Sequence, residues 1–163
     1  MTLQRSLVLI KPDGVQRGLS GEIIKRIEQT GLKIIAIKMV WVDKNFAKNH
    51  YFDVGARHGE KVLKSLVDYL TEGPVIAICF EGVDTIAVIR KIAGSTYPNE
   101  ALPGTIRGDF AHISKNYANT NDRKVGNLIH ASANEEDAQK ELKLWFSIDE
   151  MHSYKRSDEN HLI

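Results

Sequence analysis

The 163-residue chain predicts a mixed α/β sandwich, one sheet with helices packed on it. Two observations carry this. Four short apolar runs have the length and composition of buried strands, and the apolar residues between them recur at helical spacing. Strands separated by helices bury their faces most simply in one layered sheet. No Pro/Gly-rich linker, repeat or low-complexity tract interrupts the pattern. Residues 1–163 are therefore expected to form a single domain, a size that buries a core without staples.

The first run, Leu7-Val8-Leu9-Ile10, predicts a strand that turns sharply at Lys11-Pro12-Asp13-Gly14. Ser20 then caps a helix with Ile23, Ile24 and Ile27 on one face and Gly31 as its stop. A second strand is expected over 34–42, followed by a short helix capped by Asp43 that carries Phe46, Ala47, His50 and Tyr51. Over 60–72, Val62, Leu63, Leu66, Val67 and Leu70 fall at i, i+1, i+4, i+5 and i+8, a core-facing stripe. Gly73-Pro74 ends that helix. Strands follow at 75–80 and 127–129, with helices over roughly 84–93 and 134–146. "PNEALPGT" is the longest irregular segment.

Composition excludes more than it suggests. Lys and Arg number 22 against 21 Asp and Glu, so no bulk basic field invites nucleic acid. Cys79 is the single cysteine; it cannot form an intrachain disulfide, which fits a reducing compartment. No run reaches membrane-spanning length, and no signal-like segment precedes the first strand. A soluble, cytoplasmic protein without membrane or nucleic-acid partners is expected.

The chemistry gathers around "NLIHASANEEDAQKELKLWF". His130 ends an apolar run, and Ser132-Ala133-Asn134-Glu135 reads as a capping box that starts a helix just past it. A helix N-terminus favours anions, phosphate included. In that helix Ala138, Leu142, Trp145 and Phe146 form the buried stripe, and Glu141 borders it. A carboxylate at a core edge needs a partner. One ring nitrogen of His130 supplies it, which leaves the other nitrogen free as a nucleophile. Taken alone, His130 reads as a structural histidine and Glu141 as a solvated one of many helix glutamates; only the combination points to covalent phosphoryl chemistry.

Phosphate also needs donors. The glycines of "GVQRGLSG" lack the spacing of a dinucleotide or P-loop nest, so side chains must serve. Lys11 lies at a strand end, where open α/β sheets place ligands. Arg90 projects from the apolar helix "TIAVIRKIAG", and Thr96 follows it. Arg107 lies between glycines that allow close backbone approach. Each alone is better explained as solvated. A competing signal, "ARHGE" at 56–60, resembles the histidine-phosphatase triplet. It lies between two helical patterns rather than after a buried strand, so Arg57 and His58 lack the required context.

"LVLIKPDGVQRG", "PGTIRGDF" and "NLIHAS" occur in this order and at spacings that resemble the nucleoside diphosphate kinases, from about Ser6 to Tyr154. The resemblance implies a ferredoxin-like βαββαβ antiparallel sheet with helices packed on it and an extra helical hairpin. It also implies a ping-pong enzyme that moves the γ-phosphate of a nucleoside triphosphate, typically ATP, onto a nucleoside diphosphate through a phosphohistidine at His130. Glu141 matches the residue that orients the histidine, and Ser132 the neighbouring hydroxyl. Lys11 and Asn127 match the ribose contacts, with Lys11 also reaching the transferring phosphate. Tyr51 matches the active-site tyrosine, and Arg90, Thr96 and Arg107 the phosphate-binding set. Magnesium would be held mainly by substrate phosphates rather than by a protein cage. A hexamer or tetramer is implied, with the 94–105 loop at subunit contacts.

Three departures stand out. Ala133 occupies a position where the family usually has Asp. Val62 falls where an aromatic usually stacks on the base. The stretch 111–126 is longer than usual and is expected to be a polar surface excursion. No residue is seen to read a base edge, so broad base tolerance is expected. The competing readings are a non-catalytic nucleotide-binding or scaffold relative, which Ala133 and Val62 favour, then a nucleic-acid binder, then a histidine phosphatase acting through His58.

Overall fold

The structure is a computed structural model that describes residues 3–162. Its elements run β1 (Gln4–Ile10), α1 (Pro12–Gln16), α2 (Ser20–Glu28), β2 (Lys33–Val40), α3 (Lys44–His50), α4 (Val54–His58), α5 (Glu60–Thr71) and β3 (Val75–Gly82). After these come α6 (Thr85–Ala93), α7 (Ile106–Phe110), α8 (Lys115–Thr120), β4 (Ile129–Ala131), α9 (Glu135–Trp145) and α10 (Glu159–Leu162). The sheet order is β2-β3-β1-β4 with every neighbour antiparallel. This is the ferredoxin-like arrangement, with α3 and α5 as the added helical pair between β2 and β3.

Side-chain alternation along β1 explains the two layers. Leu7 and Leu9 enter a core with Ala77, Cys79, Val67, Leu70, Leu142 and Trp145, beneath α3, α5 and α9. Val8 and Ile10 point the other way, into a core with Ile78, Phe80, Ile23, Ile27 and Ile89, against α2 and α6. Because β1 is central and buried on both faces, it reads as an unbroken apolar run.

Several local expectations are corrected. The last strand is Ile129–Ala131 rather than 127–129, so His130 sits within the strand instead of after it. Ser20 is the first residue of α2 and makes no cap; Leu19 precedes it without a side-chain cap bond. Gly31 does end that segment, at φ +88°. Asp43 does cap α3, accepting from Phe46 N at 2.8 Å. On α5 the buried residues are Val67, Tyr69 and Leu70, while Val62 is 42% exposed. The predicted capping box fails as well: Asn134 caps α9 by accepting from Asp137 N at 2.8 Å. The loop read as irregular contains a 3-10 turn at Pro98–Glu100. The 111–126 stretch contains α8, capped by Ser114, whose residues are exposed apart from Ala118.

Candidate active site

β4 is three residues long, yet it sets the direction of the histidine. His130 pairs with Leu9 across the β1–β4 ladder. Directly paired residues share a face, so His130 points to the same side as Leu7 and Leu9, toward α9 and α3. There Glu141 Oε1 accepts from His130 Nε2 at 2.8 Å. A carboxylate only accepts, so Nε2 carries the proton and Nδ1 keeps a free lone pair. Glu141 is held in turn by Ser132, whose Oγ donates to Oε2 at 2.6 Å. Ser132 Oγ also accepts from the β1 backbone at Leu7 N, 3.0 Å away. The hydroxyl expected to cap a helix therefore ties strand, carboxylate and imidazole together.

The strand is preceded by a strained turn. Leu128 is fully buried with φ +67°, and Ile129 N donates across it to Asn127 O at 2.7 Å. An i→i+2 bond around a positive-φ residue is a rare γ-turn, costly for a bulky side chain. Tertiary bonds hold it. Leu128 N donates to Asp13 Oδ2 at 3.2 Å, Lys11 N donates to Leu128 O at 2.8 Å, and Tyr69 Oη accepts from Asn127 N at 3.0 Å. Asp13 and Tyr69 are thus part of the site although neither was picked out from sequence. Only the Pro-Asp-Gly turn hinted at Asp13.

Asn127 is oriented on both sides. Its Oδ1 accepts from Lys11 Nζ at 2.8 Å, and its Nδ2 donates to Thr96 O at 3.0 Å. Lys11 is 5% exposed, and burial, reinforced by the charge of Arg107, pulls its ammonium down to about 7. Arg107, also buried, donates to three carbonyls: Asn127 O at 3.1 Å, Gly94 O at 2.8 Å and Ile129 O at 2.6 Å. It clamps both sides of the strained turn to the end of α6. Gly94 ends that helix at φ +84°, a conformation that suits glycine. Burial, with Arg90 nearby, lowers Arg107 to about 10, so it stays charged at neutral pH. Two of its five N–H groups remain uncommitted. Gly108 was expected to let the backbone approach a ligand; a side chain there would instead collide with the carbonyl of Leu102, so it serves the fold of the loop.

Two cavities meet at His130. One, of about 430 Å³, is lined by Lys11, Arg90, Thr96, Arg107 and Asn127 together with Tyr51 and His130. No carboxylate is among its described lining residues, and the Arg90 guanidinium has no hydrogen-bond or ion-pair partner among the described residues. The other, of about 340 Å³, lies on the Glu141 side, lined by His50, Phe52, Val54, Leu144 and Ala133 among others. Tyr51 forms part of both walls, and its buried Oη has no partner among the described residues. Burial and the charge of Glu141 push that phenol upward, so it stays protonated. All nine residues picked out from sequence therefore fall in one site. Arg57 and His58 do not act as a phosphatase pair. They belong to the exposed helix α4, where Arg57 bonds Asp53 at 2.9 Å.

A cation-lined cavity ending on a carboxylate-oriented imidazole, built on a ferredoxin-like sheet, defines a phosphotransferase. Known proteins give the family. The nucleoside diphosphate kinase family model matches residues 4–151. A nucleoside diphosphate kinase from Borreliella burgdorferi is 48% identical over 161 residues, 98% of this chain and 96% of that protein. One from Archaeoglobus fulgidus is 46% identical, over 97% and 96% of the two chains. Among solved structures, the Borrelia burgdorferi enzyme with bound vanadate and ADP, a transition-state mimic, superposes with a TM-score of 0.94 at 47% identity, covering 98% and 96% of the two chains. The Halobacterium salinarum enzyme in complex with CDP gives 0.86 at 34% identity over 99% of both. The chain belongs to the nucleoside diphosphate kinase family, and it is a transferase that phosphorylates nucleoside diphosphates. No helix among the described residues is long and apolar enough to cross a membrane.

Proposed function

We propose that residues 1–163 act as one nucleoside diphosphate kinase domain in which His130 Nδ1 attacks the γ-phosphorus of a nucleoside triphosphate. The P–O bond to the leaving diphosphate breaks, a phosphohistidine forms, and a second nucleoside diphosphate then takes the phosphoryl group through its terminal oxygen. The observation that carries this reading is the Ser132–Glu141–His130 chain beside a cavity lined by Lys11, Arg90 and Arg107. Glu141 keeps Nε2 protonated and stabilises the positive charge that develops on the ring during attack. Lys11, Arg90, the free N–H groups of Arg107 and Thr96 take the phosphates, while Lys11 and Asn127 hold the ribose hydroxyls. Tyr51 Oη, already desolvated, is a further donor.

The donor set suits a magnesium–nucleotide substrate. With cations and amides but no carboxylate among the lining residues, magnesium would be held by phosphate oxygens and water rather than by protein. When bound it would neutralise the charge on the bridging phosphates. A homo-oligomer, hexamer or tetramer, is supported by the apolar row on edge strand β2, where Ile37 and Met39 are 52% and 58% exposed and Trp41, just beyond, 69%. Cytoplasmic location remains the expectation from composition.

The decisive experiment is a single turnover. The protein is incubated with magnesium and a γ-labelled triphosphate, without acceptor, and the labelled residue is mapped. Acid-labile label on His130 that moves to an added diphosphate is expected. Label elsewhere, or bound nucleotide without label, refutes the assignment; the second result would reinstate the non-catalytic reading that Ala133 and Val62 suggested.

A further inference from the structure

His130 is supported from two sides, and both supports start on α9. Glu141 bonds Nε2 on one side. On the other lies His50, from the last turn of α3, its ring centroid 4.7 Å from that of His130 at 82°. Behind His50 stands Trp145, four residues beyond Glu141 and so on the same face of α9. The Trp145 and His50 rings are 5.7 Å apart at 86°, and Phe46 meets Trp145 edge-on at 4.9 Å. Trp145 Nε1 donates to His50 Nδ1 at 3.2 Å.

That bond decides the tautomer. An indole N–H can only donate, so His50 Nδ1 presents its lone pair and the ring proton resides on Nε2. Burial, reinforced by the repulsion a protonated Lys11 would add, holds His50 well below the ordinary histidine range, so the ring is neutral. Its Nε2–H is buried and has no partner among the described residues, a costly arrangement away from functional sites. The same tautomer argues against a metal, although His50, His130 and Glu141 bring ligand atoms within 4.8 Å of one another. A ligating imidazole shows a bare nitrogen to the ion and a donor N–H behind; His50 does the reverse.

We propose that His50 is a positioning residue for His130, locked by Trp145 as its Nε2–H tautomer, so that one face of α9 fixes the nucleophile's ring from both sides. The inference rests on His130 being the phosphorylated residue. The Glu141 bond alone leaves the ring free to swing about the Nε2···Oε1 axis. Edge-on packing by a neutral ring removes that freedom without adding a charge beside the developing imidazolium.

Long-range proton–nitrogen spectra of the full chain read the tautomers, and wild type is expected to show His50 protonated at Nε2 alone. Trp145→Phe keeps a packing ring but removes the donor; His50→Gln keeps an acceptor for Trp145 but removes the ring. In Trp145→Phe the His50 signals are expected to move toward a tautomer mixture. The single-turnover rate of His130 phosphorylation should fall about tenfold in both variants, since small misplacements of an attacking atom are costly. Nucleotide Kd should stay within about twofold, because neither residue lines the phosphate cavity. A proton on Nδ1 of wild-type His50 overturns the proposal, as do unchanged phosphorylation rates or a loss confined to nucleotide affinity. If wild type itself forms no phosphohistidine, the functional reading falls with it; if wild type is labelled and the variants match it, only the positioning role falls.

Discussion

The two cavities that meet at His130 are built from opposite chemistry. On the phosphate side the polar walls are three cations, a hydroxyl and an amide: Lys11, Arg90, Arg107, Thr96 and Asn127. On the other side they include Phe52, Val54 and Leu144, with Glu141 and His50 against the ring. The first side is arranged to take up negative charge, the second to hold one ring still. Groups on the substrate side need a free valence, so several are left unpaired. Groups on the support side are spent on one another: Ser132 on Leu7 and Glu141, Glu141 on His130, His50 on Trp145. The pairings on the second side hold the histidine's ring in place; His50 Nε2 is the exception there, buried and without a partner among the described residues.

That division orders the expected effects of mutation. His130→Ala removes the nucleophile, one of the residues that line both cavities. Phosphotransfer measured by a coupled assay should fall by about 10⁴-fold or more while nucleotide still binds; bound nucleotide with activity retained would break the division outright. Glu141→Gln acts only on the support side. A drop of about a hundredfold in kcat with little change in KM is expected, and a change in KM alone would mean that Glu141 belongs to the substrate side.

Arg107→Met tests a residue that both lines the substrate cavity and holds the fold. Two buried carbonyls that flank the strained Leu128 turn, and the half-buried one of Gly94, lose their donor. Urea denaturation should show a loss of about 3 kcal/mol, together with weaker triphosphate binding. Loss of binding at unchanged stability would make Arg107 a ligand group only.

A further expected effect concerns protons on the substrate side. Lys11 is lowered to about 7 in the folded chain from 10.5. Between these values the unfolded state binds more protons than the native one, so stability of the nucleotide-free protein should rise with pH across that window. The cost of burying the ammonium is complete below about 7 and gone above 10.5. Polyphosphate restores the charge, so binding near pH 8 should take up a proton and weaken as pH rises. Calorimetry in two buffers of different ionisation enthalpy measures the uptake, and Lys11→Met should abolish it.

Much of the site was legible because its parts are local. The apolar stripe of α9 placed Glu141 at the edge of the core, and a carboxylate there calls for a partner such as His130. The alternation of four apolar runs with helical patterns indicated one layered sheet. What failed to show was anything set by partners distant in the chain. Ser132 read as a helix cap because Asn134 and Glu135 follow it, yet its hydroxyl is spent on Leu7, 125 positions away. Leu128 read as strand because it is apolar, yet pairing with β1 begins only at Ile129. A bulky residue at φ +67° contradicts its own propensity and is tolerated because Asp13, Lys11 and Tyr69 occupy the groups around it.

By itself, then, the sequence determined the four strands, the five longer helices, one layered sheet, the chemical inventory and the family, all of which reside in periodicity and in short contiguous motifs; the short helices α1, α4, α7 and α8 did not show in it. Only the tertiary structure decided the register of β4, the strained turn, the Arg107 clamp and the Trp145–His50 bond. Those depend on hydrogen bonds between groups 13 to 125 positions apart. No local pattern encodes them, because each donor finds its acceptor only after the sheet and α9 have brought them within reach.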